Sequence, residues 1–205
     1  SSGVSDQWRK DYTTAHYTSH DLWNWDFVSI LDMEDGVIDI AIIPIDGGWR
    51  MWYKRCNDKR CGCYYAESTD LINWDEKGFA IHDYANEGPN VFYWKDSYWL
   101  VVDSWDGLSV YKSDDAVDWK YETHILNTEG SRPCDKNNGH HADVYVSGDR
   151  AFVIYFTYNY DHYTDSMDDA DATYAKHRSY IHAAELEIKD GKLYCDRNKE
   201  CESII

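Results

Sequence analysis

Three short segments carry the residues most able to do chemistry: Ile38-Asp39-Ile40, Glu87-Gly88-Pro89 and His140-His141-Ala142-Asp143. Each stands a few residues ahead of a turn signal (Asp46-Gly47-Gly48, Lys95-Asp96-Ser97 and Ser147-Gly148-Asp149), with an apolar run between. Each therefore opens a strand that leads into a hairpin. Two carboxylates and an imidazole stand at equivalent places in three such units. Gathered at one mouth, they suit cleavage of a glycosidic bond. One protonated carboxyl serves the leaving oxygen and another carboxylate activates water, about 6.5–9.5 Å away in inverting enzymes. The plainer reading is that Asp39 and Glu87 only accept backbone hydrogen bonds at a rim.

The elements that must position these groups come from internal repetition. Ser19-His20-Asp21-Leu22-Trp23-Asn24-Trp25, Ser68-Thr69-Asp70-Leu71-Ile72-Asn73-Trp74 and Ser113-Asp114-Asp115-Ala116-Val117-Asp118-Trp119 share the pattern S-x-D-φ-x-x-W, φ being apolar, at intervals of 49 and 45 residues. A period of about 40–50 residues fits four-stranded propeller blades. Between the signatures lie strand-like runs rich in β-branched and aromatic residues: Trp49-Arg50-Met51-Trp52-Tyr53, Tyr98-Trp99-Leu100-Val101-Val102 and Ala151-Phe152-Val153-Ile154-Tyr155-Phe156. The expected architecture is all-β: a five-bladed β-propeller type in which three blades are complete. The first blade and the inner half of the second are missing from this chain, and 12–30 form the outer half of that second blade. Residues 1–205 read as one partial propeller domain. The segment 127–138 connects two blades, and 159–177, crowded with Tyr and Asp, is a long loop that suits a binding-site wall.

The chain has 205 residues and a formal charge of −18, which repels phosphate backbones and anionic lipid, so nucleic-acid and membrane partners are excluded and neutral substrates favoured. Acidity of this degree gives a weak pointer to a secreted or periplasmic setting, without excluding the cytoplasm. The spacings of Cys56, Cys61 and Cys63, and of Cys195 and Cys201, lack paired C-x-x-C units and suit free or locally bridged structural thiols better than zinc. With 10 Trp and 18 Tyr, aromatics exceed what sugar stacking needs, and the repeat residues Trp25, Trp74 and Trp119 are expected to pack between sheets. Trp94, Trp105 and Tyr93, nearer the expected mouth, are the candidates for sugar contact. Arg178 either meets a sugar hydroxyl or pairs with the carboxylates before it.

Val37-Ile38-Asp39 with Trp49-Arg50-Met51-Trp52-Tyr53, then Glu87-Gly88-Pro89-Asn90-Val91-Phe92 running to Tyr98-Trp99, and Gly139-His140-His141-Ala142-Asp143-Val144 follow one another at blade spacing. In this order the chain resembles, over essentially its whole length, the family 43-like glycoside hydrolases, in the superfamily that also holds levansucrases and invertases. The resemblance implies a saccharide substrate. It implies Glu87 as general acid, Asp39 as the carboxylate that orients it and raises its pKa, and His141 at the channel centre. No cofactor is required, although a structural calcium or other cation held through water near His141 is compatible. The family's general base belongs on the first blade; Asp103, Asp106 and Asp143 are the substitutes within this sequence. Three outcomes follow: a preceding segment supplies the base, a second chain completes the propeller, or the propeller binds saccharide without cutting it.

Overall fold

The structure is a computed structural model that describes residues 13–33, 36–57, 60–82, 86–158 and 178–201. The expected loop 159–177 lies outside them. The described residues are all-β, and among them no helix is long and apolar enough to cross a membrane. The chain divides into two compact units at Pro89 and Asn90.

In the first unit, β1 (Ala15–Thr18) and β2 (Asp26–Ile30) form a two-stranded antiparallel sheet. This is the expected outer half of a blade. A complete four-stranded antiparallel sheet follows, with β3 (Val37–Ile45), β4 (Gly48–Asn57), β5 (Arg60–Ser68) and β6 (Asp75–Ile81) in sequential order. Met51, Tyr53, Tyr64, Ala66 and Trp74 form its buried core. The β4–β5 end carries a disulfide at Cys61, whereas Cys63 is a buried free thiol.

The second unit holds the remaining sheets. The strand β7 (Glu87–Trp94) enters it and is followed in order by β8 (Ser97–Asp103), β9 (Leu108–Ser113) and β10 (Lys120–Ile125). The last sheet runs β11 (His140–Ser147), β12 (Arg150–Tyr158), β13 (Ser179–Lys189) and β14 (Lys192–Cys195). One core joins the two sheets, with Trp99, Val101, Leu108, Val153 and Leu186 among its members. Cys195 and Cys201 are free thiols, one of the two states expected of them.

The S-x-D-φ-x-x-W repeat is a turn device between the third and fourth strands of a blade. Ser19 and Ser68 each donate an O–H to Oδ1 of Asp21 and Asp70 at 3.1 Å, and Ser113 does so to Asp115 at 2.8 Å. The same oxygens accept the N–H groups of Trp23 and Asn24, of Ile72 and Asn73, and of Val117 and Asp118, at 2.8–2.9 Å. Backbone N–H donation to a carboxylate favours its charged form and holds all three well below the usual carboxylate range. The turn is secured so well that the apolar position keeps a left-handed backbone, with φ of 61° at Leu22, 62° at Leu71 and 59° at Ala116. Trp74 is buried as expected, but Trp25 is 55% exposed and its neighbour Trp23 87% exposed. Among the described residues, β1 and β2 form a sheet of two strands, with no further strand paired to it.

The segment 127–138 does more than connect. It brings Asp135, fully buried, against Arg197 from the residues after β14. The same carboxylate accepts from Arg132 at 2.8 Å and from the Tyr155 hydroxyl at 3.0 Å. Burial pulls the Asp135 carboxyl upward, but the bonds from Arg197 and Arg132 outweigh it and leave the group below its ordinary range. Gly130 lies so close that a Cβ there would meet Asp135 Oδ2 at 2.6 Å, a distance no side chain tolerates.

Candidate active site

The innermost strands of the three complete blades share a local distortion. Counted back six residues from the strand's last residue, Asp39, Gly88 and His141 hold equivalent positions, and all three have a left-handed backbone, with φ of 55°, 56° and 37°. The register slips between Ile38 and Ala41 on β3 and between His140 and Asp143 on β11, the mark of a β-bulge. A bulge re-aims the first side chains of a strand, which is how ordinary sheet edges come to present polar groups.

In the first unit the distortion brings two expected residues together. Asp39 Oδ2 accepts the Gly88 N–H at 3.2 Å, tying the start of β3 to the residue beside Glu87. Lys54, the partner of Ile38 across β3 and β4, donates its ammonium to Glu87 Oε2. The two side chains are 14% and 12% exposed, so the contact is largely shielded from water. Sequence reasoning passed over Lys54. A facing ammonium stabilises an ionised carboxylate, whereas a general acid must hold a proton when the bond breaks. Catalysis through Glu87 therefore requires Lys54 to yield that contact or to give up charge.

In the second unit, Asp103 ends β8 and is 1% exposed. Its Oδ2 lies 3.0 Å from His140 Nδ1 and accepts the His141 N–H at 3.2 Å, while Oδ1 accepts the Trp105 N–H at 2.8 Å. Three donors already engage it and its side chain is buried, a setting unlike the open one in which a carboxylate activates water. Asp143 was expected on the face of His141, but the bulge intervenes and leaves it exposed, accepting from Asn90 at 2.7 Å. Asp106 is a surface group 3.4 Å from His124.

The expected sugar contacts divide. His141 is half-buried, with its ring centroid 6.0 Å from that of Phe156. Trp105 is half-buried in the turn after β8, with φ of 68°. Arg178 is exposed just before β13. Trp94 is corrected: it is 5% exposed and part of the core. It ends β7, the strand that Glu87 opens, so eight residues at about 3.3 Å each put it near the opposite edge of the sheet. Tyr93, beside it, is exposed but shares that remote end.

No protein-family profile and no curated sequence matches this chain. Solved structures do. A thermostable family-43 glycoside hydrolase aligns with 91% of this chain and 68% of its own, at 18% identity and a TM-score of 0.63. A family 117 glycoside hydrolase of the marine bacterium Zobellia galactanivorans aligns over 92% and 62% of the two chains, at 14% identity and a TM-score of 0.62. A Bombyx mori family-32 β-fructofuranosidase aligns over 90% and 42%, at 14% identity and a TM-score of 0.62. This chain spans less than two thirds of the last two. At these identities the likeness speaks for the fold: the chain carries part of the five-bladed β-propeller of the family 43-like glycoside hydrolases.

Proposed function

We propose that this chain is the acid-bearing portion of a glycosidase that hydrolyses neutral poly- or oligosaccharide with inversion, with Glu87 as general acid and Asp39 as its orienting carboxylate. The observation that carries the reading is the bond from the Gly88 N–H to Asp39, which ties the start of the Glu87 strand to a second carboxylate, and a nearby carboxylate disfavours ionisation of both. Glu87 protonates the leaving oxygen, and a carboxylate outside this chain activates the water. The two-stranded β1–β2 sheet supports that division of labour: Tyr17, Trp25 and Phe27 are all at least half exposed, an apolar face that the remaining strands of a blade would cover. A preceding segment or a second chain is the source of those strands. His141 and Trp105 contact the sugar. A cation, where one binds, is held through water near His141; no step of the hydrolysis depends on it.

A second reading is a propeller that binds saccharide without cutting it, and the Lys54 contact to Glu87 favours it, because it supports the charged form of the acid. Glu87→Gln decides between them, assayed with neutral arabinan, xylan, galactan and fructan oligosaccharides on the propeller completed by its missing strands. The hydrolase reading expects turnover by the parent, loss of at least a thousandfold in the variant, and retained affinity for the sugar. Binding without turnover in the parent establishes the second reading. An active Glu87→Gln variant removes Glu87 from the mechanism.

A further inference from the structure

The geometry points to Asp103 as a positioning residue: one buried carboxylate that sets the backbone of both His141 and Trp105 and the tautomer of His140. The inference rests on the saccharide reading of the site for its functional consequence, but not for its structural content.

Asp103 closes β8 as the partner of Leu108, and the turn that follows is pinned by the Ser104 N–H to the Gly107 carbonyl at 3.0 Å. The carboxylate is therefore fixed by the sheet rather than by the groups it holds. Trp105, two residues on, gives it an N–H at 2.8 Å, and His141, 38 residues away, gives one at 3.2 Å. Both donors belong to residues with a left-handed backbone, a conformation that side chains other than glycine adopt only when something holds them there. Asp103 supplies that hold at two places at once, and they are the two places where a sugar-contacting side chain is expected.

The third donor is the imidazole of His140. A carboxylate can only accept, so the 3.0 Å contact requires the proton to sit on Nδ1, leaving Nε2 without one in the neutral ring. That ring packs against Tyr158 at a centroid distance of 5.0 Å and against Phe156 at 5.8 Å. Phe156 also meets the ring of His141. The dyad thus fixes an aromatic cluster whose far side is His141. Nothing in this arrangement reaches a reacting atom; Asp103 acts through the residues it orients.

The test compares Asp103→Asn with the parent in the completed propeller and uses one readout that needs no substrate. In the parent, nitrogen-15 spectra show His140 protonated on Nδ1, and the amides of His141 and Trp105 exchange slowly for residues in a bulge and a turn. In the variant the Nδ1 signature is lost and both amides exchange at least tenfold faster. With a hydrolysed saccharide the expected effect is a rise in KM of about 10–100-fold, the range seen when groups orienting a ligand are removed, with a smaller loss in kcat and no rescue by azide. Loss of kcat by a thousandfold at unchanged KM, restored by azide, would show a general base and overturn the proposal. Fast exchange of both amides in the parent overturns it without a variant, even where Asp103→Asn fails to fold. If the parent neither binds nor cleaves saccharide, the functional reading fails, while the spectra and the exchange rates still decide the positioning claim.

Discussion

Removing the Asp135 carboxylate is the sharpest test of what holds the second unit together. Asp135→Ala deletes the acceptor for Arg197, whose side chain is 3% exposed and cannot turn to water without opening the core. The Thr128 carbonyl at 2.6 Å and the Tyr155 ring, 5.1 Å away, support the guanidinium but do not neutralise it. Arg132 is less affected, being 42% exposed and free to rehydrate. Breaking a buried ion pair from one side costs about 3–5 kcal/mol, and the stranded Tyr155 hydroxyl adds about 1 kcal/mol. Partial relief through Thr128 and solvated Arg132 brings the expected loss to about 4 kcal/mol. At roughly 2–4 °C per kcal/mol for a chain of this length, Tm falls by about 10–15 °C. Urea unfolding followed by near-ultraviolet circular dichroism reads the loss directly. The double replacement Asp135→Leu with Arg197→Met removes the pair without orphaning either charge and should recover much of it. A loss below about 1 kcal/mol for Asp135→Ala, or a double variant as unstable as the sum of the singles, refutes the reasoning.

Two further outcomes follow. Asp21, Asp70 and Asp115 have depressed carboxyl pKa values in the folded protein, so the unfolded chain binds protons more readily in acid; their support is present above about pH 4 and is lost as pH falls below it. The urea midpoint should decline below pH 4, and less steeply in Asp70→Asn. A decline as steep as the parent's would remove the turn carboxylates as the cause. Burial raises the Cys63 thiol pKa and pushes that of Cys195 up to about 12, whereas Cys134 is exposed, so a thiol reagent should label Cys134 in the native protein and reach Cys63 and Cys195 only on unfolding. Rapid native labelling of Cys63 would contradict its placement.

The blade plan was legible in the sequence because strand alternation, hairpin residues and the S-x-D-φ-x-x-W spacing are local properties repeated several times. The distortion at the strand starts was not. Counting pairs outward from the turn at Asp46-Gly47 puts Arg55 opposite Ile38; the bulge shifts the partner to Lys54, and with it the contact to Glu87. A one-residue slip leaves no mark in hydrophobic pattern, although an aspartate and a histidine at matching positions, both tolerant of left-handed backbone, were an available sign. Trp94 was misplaced for a different reason: nearness along the chain to Glu87 was read as nearness in space, and a strand carries its two ends apart. Asp135 was passed over because its partners lie on Tyr155, twenty residues on, and on Arg197, beyond two further strands.

The recurring left-handed residue at 39, 88 and 141 also bears on how this scaffold can be altered. A library that randomises these positions to seek new specificity will be filtered by the backbone before any ligand is met. Valine, isoleucine and threonine there carry a strain of about 1–2 kcal/mol each, while asparagine, aspartate, histidine and glycine pass. The useful alphabet is short and polar. New recognition is more readily evolved from neighbouring residues such as Ile38 and Lys54, with the kinked positions left as they stand.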